Sequence, residues 1–297
     1  MYPSAFEYLS PTSVEDALAL LEKYGEDAKI LAGGQSLLPI MKLRLAAFPY
    51  VVDISRIDGL KRIRESDDIV HIGSMVTTAA IAESDIIRKR LPVLAETALQ
   101  IADLQVRNMG TVGGNLAHGD PGNDLPAMMM ALGAKLVLAG RGTTRTVESS
   151  SFYVDSYQTA IEPGEILTGV DVPLPSGQWG GAYVKHKRRS GDFSLAAVAC
   201  VVELDGSGAI SRAGIGLTSL GPTPTRSRDA ERYLVGKRLG DLSAESAGIE
   251  IAKASDLVVR SVDPPSDTYG SAEFKRTILR IIATEAIEKA YHRARGV

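Results

Sequence analysis

Ala32-Gly33-Gly34-Gln35-Ser36-Leu37-Leu38-Pro39 is the stretch that most restricts the fold, because it places two consecutive glycines after a short β-forming run at Lys29 to Ala32. Glycine lets a backbone approach a ligand closely, and successive N–H groups in such a loop form a concave anion site. The Ser36 hydroxyl adds a further donor. The pattern predicts an anion-binding loop, and a tight strand-to-helix turn is its structural alternative.

A second loop of similar construction follows later in the chain. Thr111-Val112-Gly113-Gly114-Asn115 again combines a hydroxyl, a glycine pair and an amide side chain. Neither loop has the Gly-x-Gly-x-x-Gly pattern of dinucleotide-binding Rossmann domains, and the sequence has no P-loop pattern. Two such loops predict two contacts to a diphosphate, the doubly anionic group of a dinucleotide.

The composition narrows the class of protein. The 297 residues are 44% hydrophobic, and 33 Lys+Arg against 36 Asp+Glu leave a net charge of -3, which gives no strong attraction to nucleic acid or to an anionic membrane. The single cysteine, Cys200, cannot hold an iron–sulfur cluster alone, since a cluster usually needs about four thiolates. The four histidines lie far apart in the sequence and predict no metal site.

Neither a signal peptide nor an apolar run of the roughly 20 residues that a membrane helix needs is visible in the sequence. We therefore expect a cytoplasmic protein with no membrane span. No nucleophile–base constellation stands out, so we assign no catalytic residue. Any redox centre of the chain itself must be a bound organic cofactor.

The first part of the chain predicts mixed α and β structure. Thr12 and Glu15 have capping-box spacing before an apolar helical pattern that ends near Gly25. Asp124 is able to cap a short helix that runs to Leu132. Strands are expected at residues 29–32, 50–54, 69–72 and 135–139, and a further helix at 92–101.

Pro173-Leu174-Pro175-Ser176-Gly177 predicts a domain boundary, because its prolines and glycine interrupt both helix and strand. Beyond it, Asp205-Gly206-Ser207-Gly208 predicts a hairpin between two strands. Helices are then expected at roughly 226–235, 243–259 and 271–294. The last should be amphipathic, with apolar residues on related faces at Phe274, Ile278, Ile281, Ile282 and Ile287.

Together these motifs resemble the FAD-binding subunits of the molybdenum hydroxylases, the medium subunits of carbon monoxide dehydrogenase-like enzymes and the FAD domain of xanthine dehydrogenases. Ala32 to Pro39 with Lys42-Leu43-Arg44 resembles the first FAD loop of the family, and Arg107 to Asn115 resembles the second. Asp120-Pro121, Asp124-Leu125-Pro126 and Ala131-Leu132-Gly133-Ala134 continue the likeness, which covers essentially the whole chain.

The resemblance implies an α+β fold in two domains. Residues 1–176 would form an FAD-binding domain of the vanillyl-alcohol-oxidase (PCMH) type, with subdomains of about 1–57 and 58–176. Residues 177–297 would form a smaller α+β domain of the carbon monoxide dehydrogenase flavoprotein type, with an antiparallel sheet and helices.

The resemblance also implies one noncovalent FAD per chain and assigns its neighbours position by position. Asp124 would bind the ribityl or adenosine portion, Ile101 and Leu167 would line its apolar surroundings, and Lys185 and Phe193 would lie near the flavin ring. The diphosphate would be held by Ala32, Gly33, Gly34, Gln35 and Ser36 and by Thr111, Gly113, Gly114 and Asn115.

By residue type alone, several of these positions have structural alternatives. Ile101 and Leu167 are ordinary core residues, Asp124 is a candidate helix cap, and Lys185 opens the run Lys185-His186-Lys187-Arg188-Arg189, which would ordinarily be a solvated hairpin. Gln35 stands where relatives often have histidine. Phe193 stands where tyrosine is common, so it keeps the aromatic face and loses the hydroxyl. These differences leave carbon monoxide open as a substrate.

The family divides its chemistry among subunits, and the resemblance implies the same division here. A large subunit would oxidise the substrate at a molybdenum–pterin centre, and a small subunit would relay electrons through two [2Fe–2S] clusters. This chain would pass them from FAD to an external acceptor, within a complex doubled into a heterohexamer. The substrate is oxidised on a different polypeptide, and this sequence identifies neither the substrate nor the electron acceptor.

Two other hypotheses remain open at this point. A self-contained flavin oxidase of a small alcohol or related substrate would be reduced by that substrate without partner subunits. A binding or assembly module whose glycine loops are structural turns would take up no FAD.

Overall fold

The computed structural model describes residues 2–240 and 245–296, and it has the predicted α+β architecture. The strands are β1 (Glu7–Leu9), β2 (Ala28–Leu31), β3 (Tyr50–Asp53), β4 (Ile63–Ser66), β5 (Ile69–Gly73), β6 (Lys135–Gly140), β7 (Thr143–Glu148), β8 (Tyr153–Asp155), β9 (Gln158–Thr159), β10 (Ile166–Pro173), β11 (Gln178–His186), β12 (Ala196–Leu204), β13 (Ile210–Thr218) and β14 (Thr225–Arg226). The helices are α1 (Val14–Tyr24), α2 (Leu37–Lys42), α3 (Thr78–Glu83), α4 (Asp85–Arg90), α5 (Pro92–Leu99), α6 (Leu104–Met109), α7 (Val112–His118), α8 (Asp124–Leu132), α9 (Arg228–Leu234), α10 (Glu245–Arg260) and α11 (Ala272–Ala294).

The first sheet is parallel, with the strand order β1-β3-β2. Its helix α1 begins one residue later than the capping-box spacing predicts, since the Ser13 side chain, not that of Thr12, accepts the Asp16 N–H. The predicted stop at Gly25 is confirmed, with φ at +54°. Because the strands are parallel, β2 and β3 end at the same edge, and the first glycine loop leaves the sheet there.

The second sheet is antiparallel, with the order β4-β5-β10-β6-β7. Helices from residues 78–132 pack against it and form the largest core cluster of the chain. Helix α8 lies inside this core, and all 9 of its residues are buried. A helix that is buried on all sides and apolar after Asp124 needs a second covering layer, because neither of its faces is suited to solvent.

That layer is the third sheet, which is antiparallel with the order β11-β12-β13-β14. Every residue of β12 is buried, so both faces of the strand are covered. Ala197, Ala199 and Val201 contribute to the core cluster that contains α8, while the alternate residues join a second cluster with α10 and α11. The C-terminal sheet is therefore packed between the N-terminal helices and its own helices.

Two glycines of β13 allow the sheet to lie directly on the α8 backbone. A Cβ atom on Gly214 would lie 2.0 Å from the Ala131 carbonyl oxygen, and one on Gly216 would lie 2.0 Å from the Ala127 carbonyl oxygen. No real Cβ tolerates such a contact with backbone. The distance between sheet and helix is thus set by the absence of side chains at these two positions.

The C-terminal helices follow the sequence expectation with one correction. The three predicted helices correspond to α9, α10 and α11, and predicted positions 243–244 lie outside the described residues. The amphipathic assignment for α11 is partly wrong, because Phe274 is 45% exposed and Ile281 is 57% exposed. The helix also carries exposed ion pairs, Arg280 with Asp256 and Lys289 with Glu285. Among the described residues, no helix is long and apolar enough to cross a membrane.

We expect Gly216→Ala to lower the Tm by several degrees, because its Cβ would force β13 away from α8. Overpacking of this kind costs on the order of 1–3 kcal/mol. The control is Gly206→Ala in the exposed hairpin, where an added Cβ meets no atom within 4 Å. Thermal unfolding followed by circular dichroism compares the two. Equal Tm values for both variants would contradict the packing described for β13.

Candidate functional site

The two glycine loops, far apart in sequence, lie against each other in the structure. A Cβ atom on Gly33 would lie 2.1 Å from the Met109 carbonyl oxygen, just before the second loop. A Cβ atom on Gly114 would lie 3.6 Å from the Ala32 Cβ. The predicted residues of both loops therefore form one continuous surface at the junction of the first and second sheets.

The first loop presents free backbone donors. Within residues 2–240 and 245–296, the N–H groups of Gly33, Gly34, Gln35 and Ser36 donate to no protein acceptor. Gly34 has φ at +71°, which turns the chain between β2 and α2 and favours glycine. The Gln35 side chain folds back and donates to the Gly33 carbonyl oxygen at 3.2 Å. Four successive free N–H groups form a site suited to a diphosphate.

The second predicted loop is wrong as a loop: Thr111 is the N-cap of α7, and residues 112–115 form the first turn of that helix. We keep the name second loop for residues 111–115. The backbone N–H groups of its last four residues are all bonded within the protein. Their acceptors are the Val76 carbonyl for Val112 (2.9 Å), the Ser74 carbonyl for Gly113 (2.8 Å), the Thr111 hydroxyl for Gly114 (3.0 Å) and the Thr111 carbonyl for Asn115 (2.9 Å). These amides hold the loop in place, so they are not free for a ligand.

What the second loop offers instead is side chains. The Thr111 hydroxyl accepts from Gly114, so its own proton remains to be donated. The Asn115 Oδ1 atom is buried and has no hydrogen-bond partner among the described residues. A bound ligand is able to donate the hydrogen bond that this oxygen lacks. Gly113 has a packing role, because its Cβ would lie 2.4 Å from the Ser74 Cβ.

Asp124 begins α8 and is 4% exposed. It is not the N-cap: that position is Asn123, which corrects the structural alternative from the sequence. One carboxylate oxygen accepts from the Tyr183 hydroxyl, and the other accepts from the Lys185 Nζ at 2.9 Å. Burial raises the pKa of the Asp124 carboxyl, and the Lys185 ammonium acts in the opposite direction.

Lys185 is correspondingly not part of a solvated hairpin. Its side chain is 1% exposed and lies on β11 beside the fully buried Tyr183, whose pKa is raised well above its usual value by burial. Of the basic run, Arg188 is also anchored: its guanidinium stacks 5.0 Å from the Tyr269 ring and donates to the Thr268 carbonyl. The solvated alternative is therefore wrong at Lys185, whereas Arg188 is exposed and is held by these two contacts.

Ile101 and Leu167 both lie in the large core cluster, with exposures of 8% and 5%. Beside Ile101, Ala102 has φ at +43°, an unusual conformation for a residue with a Cβ. Arg107 Nη1 donates to the Ile101 carbonyl oxygen at 2.8 Å and holds this turn. The structure thus gives both apolar residues a packing role, and their contact with a cofactor stays a prediction.

Phe193 is 55% exposed and projects from the loop between β11 and β12. Its ring lies close to the Gly122 backbone, where a Cβ would meet the ring at 3.1 Å. Phe193 and Gly122 line a cavity of about 330 Å³, and Tyr157 and Tyr269 line it too. Sequence reasoning missed both tyrosines, because no local pattern indicates that such distant segments meet.

The sequence matches two family descriptions in succession. Residues 4–175 match the FAD binding domain in molybdopterin dehydrogenase, and residues 181–290 match the CO dehydrogenase flavoprotein C-terminal domain.

Relatives match over nearly the whole chain. The carbon monoxide dehydrogenase medium chain of Afipia carboxidovorans is 44% identical over 296 residues, which cover 100% of both chains. The 6-hydroxypseudooxynicotine dehydrogenase complex subunit alpha of Paenarthrobacter nicotinovorans is 38% identical, over 99% of this chain and 97% of that protein. A chain of the Cu,Mo-CO dehydrogenase, solved in its cyanide-inactivated form, superposes with a TM-score of 0.93 at 44% identity and covers 99% of this chain and 100% of its own length.

We expect Lys185→Met to lower the free energy of unfolding by about 3–5 kcal/mol, because it leaves the Asp124 carboxylate buried without a cation. The double variant Asp124→Asn/Lys185→Met should lose less, since no charge then remains to be buried. Lys289→Met removes an exposed ion pair with Glu285 and serves as the control, with an expected loss below about 1 kcal/mol. Denaturant unfolding measures these three and the single variant Asp124→Asn. A double variant as unstable as the sum of both single variants would refute this coupling.

Proposed function

The chain belongs to the family of FAD-binding medium subunits of molybdenum-containing dehydrogenases, and we propose that it transfers electrons from the iron–sulfur clusters of a partner subunit to an external acceptor. It is an FAD-binding oxidoreductase subunit with the fold of carbon monoxide dehydrogenase medium chains. The direction of electron transfer and the assignment of single residues to the cofactor are parts of the proposal.

The observation that best supports the proposal is the packing of four free loop N–H donors against a second loop with an orphaned amide oxygen. The free amides of Gly33 to Ser36 suit the FAD diphosphate, which carries two negative charges and several acceptor oxygens. The Thr111 hydroxyl and the Asn115 side chain face the same junction from the other loop. The residues present therefore fit FAD, with the backbone of one loop and the side chains of the other as its ligands.

When bound, FAD supplies the ability to accept electrons singly and to release them as a pair. The chain itself binds and orients the group. We propose that Asp124 and Lys185 fix the start of α8 beside the cofactor, and that Ile101 and Leu167 keep water from its apolar part. Phe193, whose exposed face is large, would cover the ring without offering it a hydroxyl.

As a medium chain, this protein has small and large partner subunits. We propose that the small one holds two [2Fe–2S] clusters, that the large one holds the molybdenum–pterin centre, and that the complex is a cytoplasmic heterohexamer. Relatives of this chain serve a carbon monoxide dehydrogenase and a 6-hydroxypseudooxynicotine dehydrogenase. We propose that the large subunit determines the substrate.

We expect Gly33→Ala to lose most of its FAD, because the added Cβ would push the first loop off the Met109 carbonyl and separate the two loops. Wild type should bind one FAD per chain, and acid precipitation should release all of it, as noncovalent binding requires. Gly59→Ala, where an added Cβ meets no atom within 4 Å, is the control and should bind like wild type. Absorbance and far-ultraviolet circular dichroism measure cofactor content and fold. Full occupancy in folded Gly33→Ala would argue against the proposed diphosphate site.

The isolated, FAD-loaded chain should not be reduced by carbon monoxide, an aldehyde or an N-heterocycle, because these are oxidised on another subunit. Dithionite should bleach it, which shows that the flavin is competent. The flavin absorbance near its visible maximum is followed anaerobically, with and without the co-expressed partners. Bleaching by one of these substrates in the absence of partners would support a self-contained oxidase instead.

A further inference from the structure

Residues 119–124 connect α7 to α8 and lie between the second glycine loop and the C-terminal sheet. At the loop side, the Asn123 side chain donates through Nδ2 to the Asn115 carbonyl oxygen at 2.7 Å. At the other end, Asp124 is tied to Tyr183 and Lys185 of β11. We call residues 119–124 the linking segment. Its conformation determines where Asn115 and Asp124 stand relative to each other.

The linking segment has little regular structure of its own, so its carbonyl groups need partners from elsewhere. Thr218, the last residue of β13, contacts two of these carbonyls, those of Pro121 and Asn123. It is 1% exposed, and its Oγ1 atom lies 2.6 Å from the Pro121 carbonyl oxygen and 2.8 Å from the Asn123 carbonyl oxygen. A threonine hydroxyl has one proton, which these two acceptors share.

The next residue reinforces the contact. The Ser219 N–H donates to the same Pro121 carbonyl oxygen at 2.8 Å, and Ser219 has φ at +68°, an unusual conformation for a residue other than glycine. A strained turn at this point is consistent with a strand end fixed by its contacts rather than by its own preference.

The turn at Ser219 also contacts the loop that bears Phe193. The Ser219 and Ser194 hydroxyls are 2.6 Å apart, and Ser194 directly follows Phe193 in the chain. The Phe193 ring, in turn, lies on the Gly122 backbone within the linking segment. Hydroxyls of the C-terminal sheet therefore contact both the linking segment and the loop that bears Phe193.

We infer that Thr218 is a positioning residue for the cofactor site: through the carbonyls of Pro121 and Asn123, it sets the linking segment so that Asn115 and Asp124 face FAD. The inference rests on the proposed function, because it requires that FAD binds at this junction. Thr218 touches no predicted cofactor neighbour with its own hydroxyl. It acts from the C-terminal domain on a segment of the FAD-binding domain.

Valine has nearly the shape of threonine, so Thr218→Val removes the hydroxyl that both carbonyls share, and the Pro121 carbonyl keeps only the Ser219 N–H. FAD should bind about 3- to 10-fold more weakly, with a changed circular dichroism of the bound flavin. Thr218→Ser keeps the hydroxyl and should restore both. Thr97→Val is the matched control: Thr97 is also fully buried, but its hydroxyl donates to the Val93 carbonyl of its own helix at 2.7 Å.

Three quantities are measured on the full chain: the Kd for FAD, the visible circular dichroism of the bound flavin, and the Tm. Thr97→Val should lower the Tm with an unchanged Kd. A wild-type Kd and spectrum in Thr218→Val would overturn the inference while leaving the proposed function intact. A Kd that weakens in both variants in proportion to their Tm would also overturn it, because that is general destabilisation.

If Thr218→Val does not fold, Thr218→Ala is compared with Thr218→Ser, and equal FAD affinity in those two variants would overturn the inference. A wild-type chain that takes up no FAD would refute the proposed function itself, and the inference with it. The two failures are thus distinguished by whether wild type binds the cofactor.

Discussion

Asp124 places a carboxylate at the start of a helix that is buried along its whole length, and the rest of the structure has to neutralise it. A buried charge is tolerated only when it is paired and its remaining acceptors are satisfied. Lys185 and Tyr183 meet both requirements, and both come from the C-terminal sheet. The N-terminal helices therefore cannot keep this arrangement without the other domain. The glycines of β13 bring that domain close enough for the contacts to form.

This dependence gives the two glycine loops unequal roles. The first loop follows the edge of a parallel sheet, and its N–H groups have no acceptor among the described residues. The amides of the second loop donate to Ser74, to Val76 and to its own Thr111. The second loop is therefore fixed in place and has only side chains to offer a ligand. Free donors that face a fixed surface suit a diphosphate, because the donors bind the anion while the surface determines where the cofactor lies.

Local sequence patterns predicted helices such as α1, α8 and α11 but not the short helices α3, α4 and α6. The first doubled glycine correctly predicted a loop, whereas the second lies in the first turn of α7. The cap of α1 was displaced by one residue because Thr12 and Ser13 are adjacent hydroxyls, and only the backbone geometry selects between them. The different amide bonding of the two loops was not predictable, since its acceptors at Ser74 and Val76 come from another segment. Tyr183 and Thr218 gave no signal either, because ordinary strand residues acquire their roles only through the packing of one sheet on a distant helix. For α11, periodicity could not show that Phe274 and Ile281 face outward.

The proposed FAD site depends on residues of both domains, and this dependence has a thermodynamic consequence. If FAD contacts a segment whose conformation depends on the C-terminal sheet, cofactor binding and domain docking favour each other by the same free energy. FAD would then stabilise the interface between α8 and β13, and a loosened interface would weaken FAD in equal measure. A subunit that must hold its flavin at a fixed distance from a partner's clusters benefits from such coupling.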